Sequence, residues 1–570
     1  MPQLRCAAYA PALGSTLFAS SLLLFSGCVT PWDRAPQDDA LLGPDGRLKH
    51  IKPLDLRRVE ASSEMEADPE PAPELPRAVV IDAGAGVVPL TIEAARAAAI
   101  ENNLDVRVSL ISPAIAAEQV SEEEAAFEAT FRVTGVAQQT DTPTFSSLQD
   151  AQQEFQSLNP SLVIPTRLGG DFTISTPFSR NQTNNPFATV DPAFTQDLEF
   201  SISQPLLRGA GRRATTAALR IAALDRDLAA ARTKLEVIAQ LAAVDRAYWQ
   251  LYSARQEIEV RVQQRDLAIA QLERAERQLE AQRIAEIEVL RAQSGVADRA
   301  EAIIVAENLA AARQRELKRL LNLPDLPVQS ETMIDLASVP DPALYEANTT
   351  TLIESALASR MELLEVELQL AQDLVRIELG ENQALPQLDL NALYRINGLG
   401  GNHGGATEVL VENDFEDWRI ALTAAIPIGN EAALSRLRGL VLSRLQRIST
   451  RQSREQTIKQ DVLDALDDMA TSWQRVIAAR ERVRLATRTL RAEERQFGVG
   501  RTTSTDVLDA STNLADAQLS ELSAIVDYQI SQVNLAVATG TLLGQARVDL
   551  EFAPRPELGG FRYAPRADQN

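Results

Sequence analysis

The chain has 570 residues and carries 56 Lys and Arg against 79 Asp and Glu, a formal net charge of −23. That length suggests about four domains at roughly 150 residues each, and a hydrophobic content of 45% excludes wholesale disorder. The acidic balance argues against a nucleic-acid partner, which needs basic patches, and two Cys with two His leave no material for a zinc cluster or disulfide framework.

The N-terminus has one basic residue, Arg5, an apolar run over residues 12–25, and then Ser26-Gly27-Cys28. This describes a secretory signal peptide at residues 1–27. The Ser-Gly-Cys end resembles the bacterial lipobox, which implies that Cys28 is acylated and becomes the mature N-terminus. The other reading is a buried Cys in an anchor helix. Val29, rather than Asp, favours the outer membrane as the destination. No other apolar run approaches 18 residues, so a second membrane-spanning helix is not expected. A spanning role would have to use β-strands.

Residues 28–88 are rich in Pro, Asp and Glu, as in Asp68-Pro-Glu-Pro-Ala-Pro-Glu74, and read as a lipid-anchored disordered linker. His50 lies in this stretch and His403 in a Gly-rich one, so both read as loop residues. Between the linker and a Pro-rich tail at 546–570 lies an internal repeat, 89–325 and 344–545, joined by a connector at 326–343. Ala247-Tyr-Trp249-Gln matches Thr471-Ser-Trp473-Gln. Leu279-Glu-Ala-Gln-Arg283 and Ile287-Glu-Val-Leu-Arg-Ala292 match Phe497-Gly-Val-Gly-Arg501 and Thr505-Asp-Val-Leu-Asp-Ala510.

Each half predicts a short helix, strands, a long helix, a turn and another short helix. The long helices fall near 212–279 and 430–497, each about 100 Å at 1.5 Å per residue. Flanking helices near 89–127, 286–323, 349–382 and 505–543 are half as long, so two end to end match one long helix. Apolar residues recur seven apart at Ile221, Leu228, Leu235, Ala242 and Trp249, and again at Val462, Met469, Val476, Val483, Leu490 and Phe497. A sustained heptad means coiled-coil packing, which a structural rod would also show. The fold class is therefore mainly α with β.

Strand signals argue for more than a rod. Residues 129–134, 198–203, 388–394 and 418–424 alternate apolar and polar, as a sheet with one apolar and one polar face requires. About ten tilted residues cross a bilayer in a barrel. An extra alternating piece, Gly170-Asp-Phe-Thr-Ile-Ser175, is readable as a spanning strand or as a loop hairpin. Four principal strands cannot enclose a lumen, so a barrel needs several copies. Gly209-Ala-Gly211 mimics a dinucleotide fingerprint, but no parallel strand follows the long helix promptly. With Pro205, these glycines read as the strand-to-helix turn.

At this point the chain resembles the outer-membrane efflux protein family, the TolC-like channels. The resemblance covers both halves and rests on Gln204-Pro-Leu-Leu-Arg-Gly-Ala-Gly211, the duplicated order and Phe497-Gly-Val-Gly-Arg-Thr-Thr-Ser-Thr-Asp-Val-Leu-Asp-Ala510. It implies a homotrimer: a long α-helical barrel topped by a 12-stranded transmembrane β-barrel, about four strands per protomer. It also implies a duct with no enzymatic chemistry and no cofactor, docked to a periplasmic adaptor and an inner-membrane transporter.

In the family the turn before the last helix closes the periplasmic tip, and its acidic residues map onto Asp506 and Asp509. The alternative role for these two is that of helix-start acids. Phe497 stands where the family has a Tyr, and Thr502 where it has an Arg, with Arg501 one place earlier. Phe497, Gly498, Gly500, Arg501, Glu288 and Arg291 are the expected tip and adaptor contacts. A lipid-anchored coiled-coil scaffold of the envelope is the competing function.

Overall fold

The structure is a computed structural model and describes residues 57–58, 86–145, 151–499 and 501–546. Cys28, the signal peptide, His50, Gly500 and all but the first tail residue lie outside the described residues. In chain order the elements are β1 (Val87–Leu90), α1 (Ile92–Asn102), α2 (Leu104–Ala125), β2 (Thr130–Asp141), β3 (Gln152–Pro165), β4 (Asp171–Ser175), β5 (Phe178–Thr183), β6 (Ala193–Pro205), α3 (Ala217–Glu280) and α4 (Glu286–Leu321). There follow β7 (Met333–Leu336), α5 (Thr349–Ser359), α6 (Met361–Gln383), β8 (Gln387–Gly400), α7 (His403–Glu412), β9 (Glu416–Ala425), α8 (Glu431–Gly498) and α9 (Ser504–Ala538).

The two long helices contain no proline, so their backbone hydrogen bonding is nowhere interrupted by a missing N–H. Next to the sheet the helices lie side by side in the order α2, α3, α6, α8; away from it the order is α4, α3, α9, α8. The half-length helices do stack end to end. Asn103 caps α2 by accepting from Asp105 N (2.8 Å) and Val106 N (3.1 Å), and its Nδ2 donates to Leu320 O at the end of α4 (2.9 Å). Asn322, left-handed at φ 46°, closes α4 and donates to Asn102 O (2.9 Å).

Val462, Met469, Val476, Val483, Leu490 and Phe497 are all buried at their heptad spacing. Leu228, Ala242 and Trp249 are buried on α3, whereas Ile221 and Leu235 are only half-buried. Each fully buried side chain of this size contributes about 1.5–3 kcal/mol. Two aromatic residues anchor the middle of the molecule: Tyr248 Oη donates to Leu90 O (3.0 Å), and Tyr528 Oη to Ala343 O (2.6 Å). The connector at 326–343 is more than a link, since β7 pairs in parallel with β1 and Lys318 Nζ donates to Ser330 O (2.7 Å) and Thr332 O (2.8 Å). The expected linker likewise takes part in structure where it is described: Arg57–Arg58 pairs with Tyr345–Glu346.

The sheet departs from the expectation of about four strands per chain. It has seven, in the order β9-β8-β6-β4-β3-β2, with β5 also between β3 and β6. β4 and β5 occupy one column, broken at Thr176-Pro177, so the sheet is six columns wide. The expected piece at 170–175 is β4, an inner strand paired on both sides within this sheet. β3 escaped detection because Pro160 and Pro165 interrupt a strand pattern. Here Pro160 is tolerated at the break, where its carbonyl accepts from Thr176 N (3.0 Å).

Helix α7 was also unexpected, in a stretch read as a Gly-rich loop. Its N-cap Asn402 accepts from Gly405 N (2.9 Å), and its buried Ala406 sits over Gly398 and Gly400. A Cβ at Gly398 would meet Ala406 O at 2.3 Å, so glycine is what lets α7 lie against β8. His403 opens this helix and packs edge-on to Phe194.

Candidate functional site

Registers across the sheet sort its side chains onto two faces. Phe131 lies opposite Leu162, Leu162 opposite Ile174, Ile174 opposite Phe200, Phe200 opposite Tyr394 and Tyr394 opposite Trp418. This row continues unbroken across all six columns, and the row beside it reads Ile164, Phe172, Ile202, Ala392 and Ile420. The other face reads Arg132, Ser161, Ser175, Glu199 and Arg395 at comparable heights, with Arg395 paired to Glu199 at 2.5 Å. One sheet thus has a mainly apolar face and a mainly polar one, the apolar face giving way to Glu154, Gln156, Arg180 and Gln182 at one end of the hairpin. Its edge strands β2 and β9 expose Phe131, Val133, Trp418 and Ile420.

At the foot of the sheet the chain turns from β6 into α3. Leu206 N continues the ladder to Leu388 O (2.7 Å) beyond Pro205. Gly209 and Gly211 then adopt φ of 82° and 92°, a region that glycine enters without penalty. Asn382 holds this turn: its Oδ1 accepts from Gly209 N (2.7 Å), and its Nδ2 donates to Ala210 O (3.1 Å). The first repeat's strand-to-helix turn is therefore fastened to the second repeat's helix end.

The far end of the helices is built from two unlike turns. In the second repeat Thr503 caps α9, and Asp506 returns the contact: its carboxylate accepts from Thr503 N (2.8 Å) and Thr503 Oγ1 (2.7 Å). The Thr503 amide first, and then its hydroxyl, hold the Asp506 carboxyl below the ordinary carboxylate range. In the first repeat the residue before α4 is Ala285, which offers no side-chain cap, and Gln282 is left-handed at φ 58°.

Behind these turns two polar pairs cross between α3 and α9: Gln271 Nε2 donates to Ser504 Oγ (3.1 Å), and Ser511 Oγ to Gln264 Oε1 (2.9 Å). All four residues are buried. On the outside, Arg299 of α4 reaches Thr512 Oγ1 (3.0 Å). Burial lowers the Arg299 guanidinium, against Asp298 and Asp509.

Residues 352–541 match the family model of the outer membrane efflux protein. The second repeat belongs to that family. The chain is 28% identical over 226 residues to the outer membrane protein TolC of Vibrio cholerae, covering 37% of this chain and 49% of that protein. It is 27% identical over 204 residues to TolC of Escherichia coli, covering 34% and 41% respectively. The alignments thus span about half the length of the curated relatives or less. In fold the chain is similar to the CmeC outer membrane channel of Campylobacter jejuni, with a TM-score of 0.57 at 14% identity, over 79% of this chain and 86% of that one.

Within this efflux-protein domain, Asp506 and Asp509 are both exposed at the start of α9, and Asp506 holds the capping position described above. Phe497 is not a surface contact. It is buried against Val507, Ala510 and Leu514, because the heptad that carries it continues to the last turn of α8. Gly498 has open space around it, Arg501 is exposed, and Arg501 N donates to Gln496 O (3.0 Å). In the first repeat Glu288 and Arg291 are paired with each other at 2.7 Å. The sequence reading missed the buried polar pairs, although Gln264 and Gln271, like Ser504 and Ser511, lie seven apart on their helices.

Proposed function

We propose that the chain is an outer-membrane exit duct of a tripartite efflux pump or type I secretion system, passing solutes from periplasm to exterior as a homotrimer. The observation that carries this is the two-faced sheet. An apolar face against lipid and a polar face against water is what a barrel wall requires, and a sheet with two free edges closes by pairing each edge with another copy. Among the described residues no helix is long and apolar enough to cross a membrane; in this reading the strands do so.

The helices support assembly on the same two sides. α2 exposes Leu104, Val108, Ile111 and Ile115 along one stripe, and α8 exposes Leu434, Val441, Leu445 and Ile448. These stripes lie on the outer helices of the layer, below β2 and β9, and cover each other between copies. Cys28 carries the lipid anchor. The far tips meet a periplasmic adaptor that links the duct to an inner-membrane transporter, and three copies of Asp506 and Asp509 ring the closed end. The scaffold alternative leaves the apolar face of the sheet without an occupant.

The full chain is expected to fractionate with outer membranes as a trimer and to conduct ions in planar bilayers. A soluble, non-conducting rod obtained from Cys28→Ser would overturn the duct. Asp506→Ala with Asp509→Ala should weaken block by multivalent cations; unchanged block would remove the acidic ring from the gate.

A further inference from the structure

We propose that the hairpin β3–β4/β5 is part of the transmembrane wall and widens it by two strand columns per copy. The inference rests on the exit-duct reading and concerns the bore of that duct. The sheet is six columns wide, while the helical layer beneath it is four helices wide: α2, α3, α6 and α8. α2 runs into β2, and β6 runs into α3. These two helices pack directly against each other, yet their strands are separated by two added columns.

The hairpin is part of the wall. β3 pairs with β2 from Gln152 to Val163, and the β4/β5 column pairs with β6 from Asp171 to Asn181. Its apolar residues Leu158, Leu162, Phe172, Ile174 and Phe178 fall on the same face as Phe200 and Trp418. A loop folded into the lumen would not be matched to the lipid face in this way. On the polar face the hairpin brings Ser157, Asn159, Ser161, Thr173, Ser175 and Ser179, with Asp171 at the start of β4 and Phe155 and Val163 among them, so the lining it adds carries a single charge over the paired residues 155–163 and 171–179.

The arcs then agree. Strands about 4.8 Å apart and tilted by about 40° each occupy about 6 Å of circumference. Six cover about 38 Å and four only about 25 Å. Four helices packed at 8–10 Å cover about 32–40 Å. Six strands therefore stand over four helices with nearly equal width. Three copies of the six columns make an eighteen-stranded barrel, in the range that leaves an open aqueous channel, with β2 of each copy paired to β9 of the next.

Single-particle imaging of the full chain in nanodiscs tests this directly. The expected result is a continuous wall of eighteen strands that includes residues 152–183. A conducting trimer whose wall has twelve strands, with the hairpin outside it, overturns the widening and leaves the duct reading intact. Absence of any membrane-inserted conducting assembly overturns both.

A second measurement uses a variant lacking residues 144–187, which joins β2 to β6 as a hairpin. Polymer exclusion from the outer side should show the full chain admitting polyethylene glycols about 1.5-fold wider than the variant admits. An identical cut-off in two conducting channels counts against the proposal, and if the variant fails to assemble, the imaging decides.

Discussion

The two repeats solve the same packing problem with different chemistry. Where α1 crosses α3, Arg96 makes a two-pronged contact with Asp245, both distances 2.8 Å, and the Asp245 side chain is 0% exposed. Burial pushes the Asp245 carboxyl up, and the Arg96 guanidinium opposes it. Counted from the N-caps Thr91 and Asn348 of the two 11-residue helices, Ile353 of α5 holds the place of Arg96, and the Trp249–Trp473 match puts Met469 of α8 at that of Asp245; both join an apolar cluster. The crossing therefore needs volume, and an ion pair is one way of filling it. α3 is enclosed on both sides within its own chain, whereas α8 is an outer helix and buries nothing before Ile458.

The sharpest way to break this comparison is Arg96→Ala. It leaves Asp245 charged and unpaired in the interior, and thermal unfolding should show a loss of about 3–5 kcal/mol. Copying the second repeat with Arg96→Ile and Asp245→Met should instead be neutral or stabilising by about 1–4 kcal/mol. A double variant as damaged as the single one would mean that the ion pair itself is required.

At the tips the comparison predicts gains for the first repeat and losses for the second. Ala285→Ser would complete a Ser-x-x-Glu capping box with Glu288 and should stabilise the start of α4 by about 1 kcal/mol, read from hydrogen exchange. Thr503→Ala should cost a similar amount at α9. The smallest effect is the pH dependence of the α9 cap. Because the Asp506 carboxyl is held below its ordinary value of about 3.9, the cap's contribution is complete above about pH 4. It is lost as the pH falls through the depressed value, so exchange of the first α9 amides should rise there while α4 stays unchanged.

The helices were legible because a seven-residue period runs through them without interruption. Phe497 was assigned to the surface by motif, although its own heptad, continuing from Leu490, already placed it inside. β3 was not legible because proline normally excludes an inner strand, and nothing local announces that Pro160 stands beside a break in its neighbour. α7 was hidden because its glycines serve the contact with β8, a tertiary fact. The capping role of Asp506 could be read from Thr503-Ser-Thr-Asp506. The gate role proposed for it could not, since that belongs to an assembly.

The end-to-end junction at Asn103 and Asn322 has a mechanical meaning. Across the chain, columns made of two helices end to end alternate with single unbroken ones: α2 on α4, then α3, then α6 with α9, then α8. No covalent bond carries tension straight through mid-height in the divided columns, whereas α3 and α8 transmit it over their full length. Such a helical layer is stiff along its length but compliant in shear, because each divided column can slip or rotate at its joint while its neighbours only flex. The lower half can therefore twist relative to the upper half without disturbing the sheet.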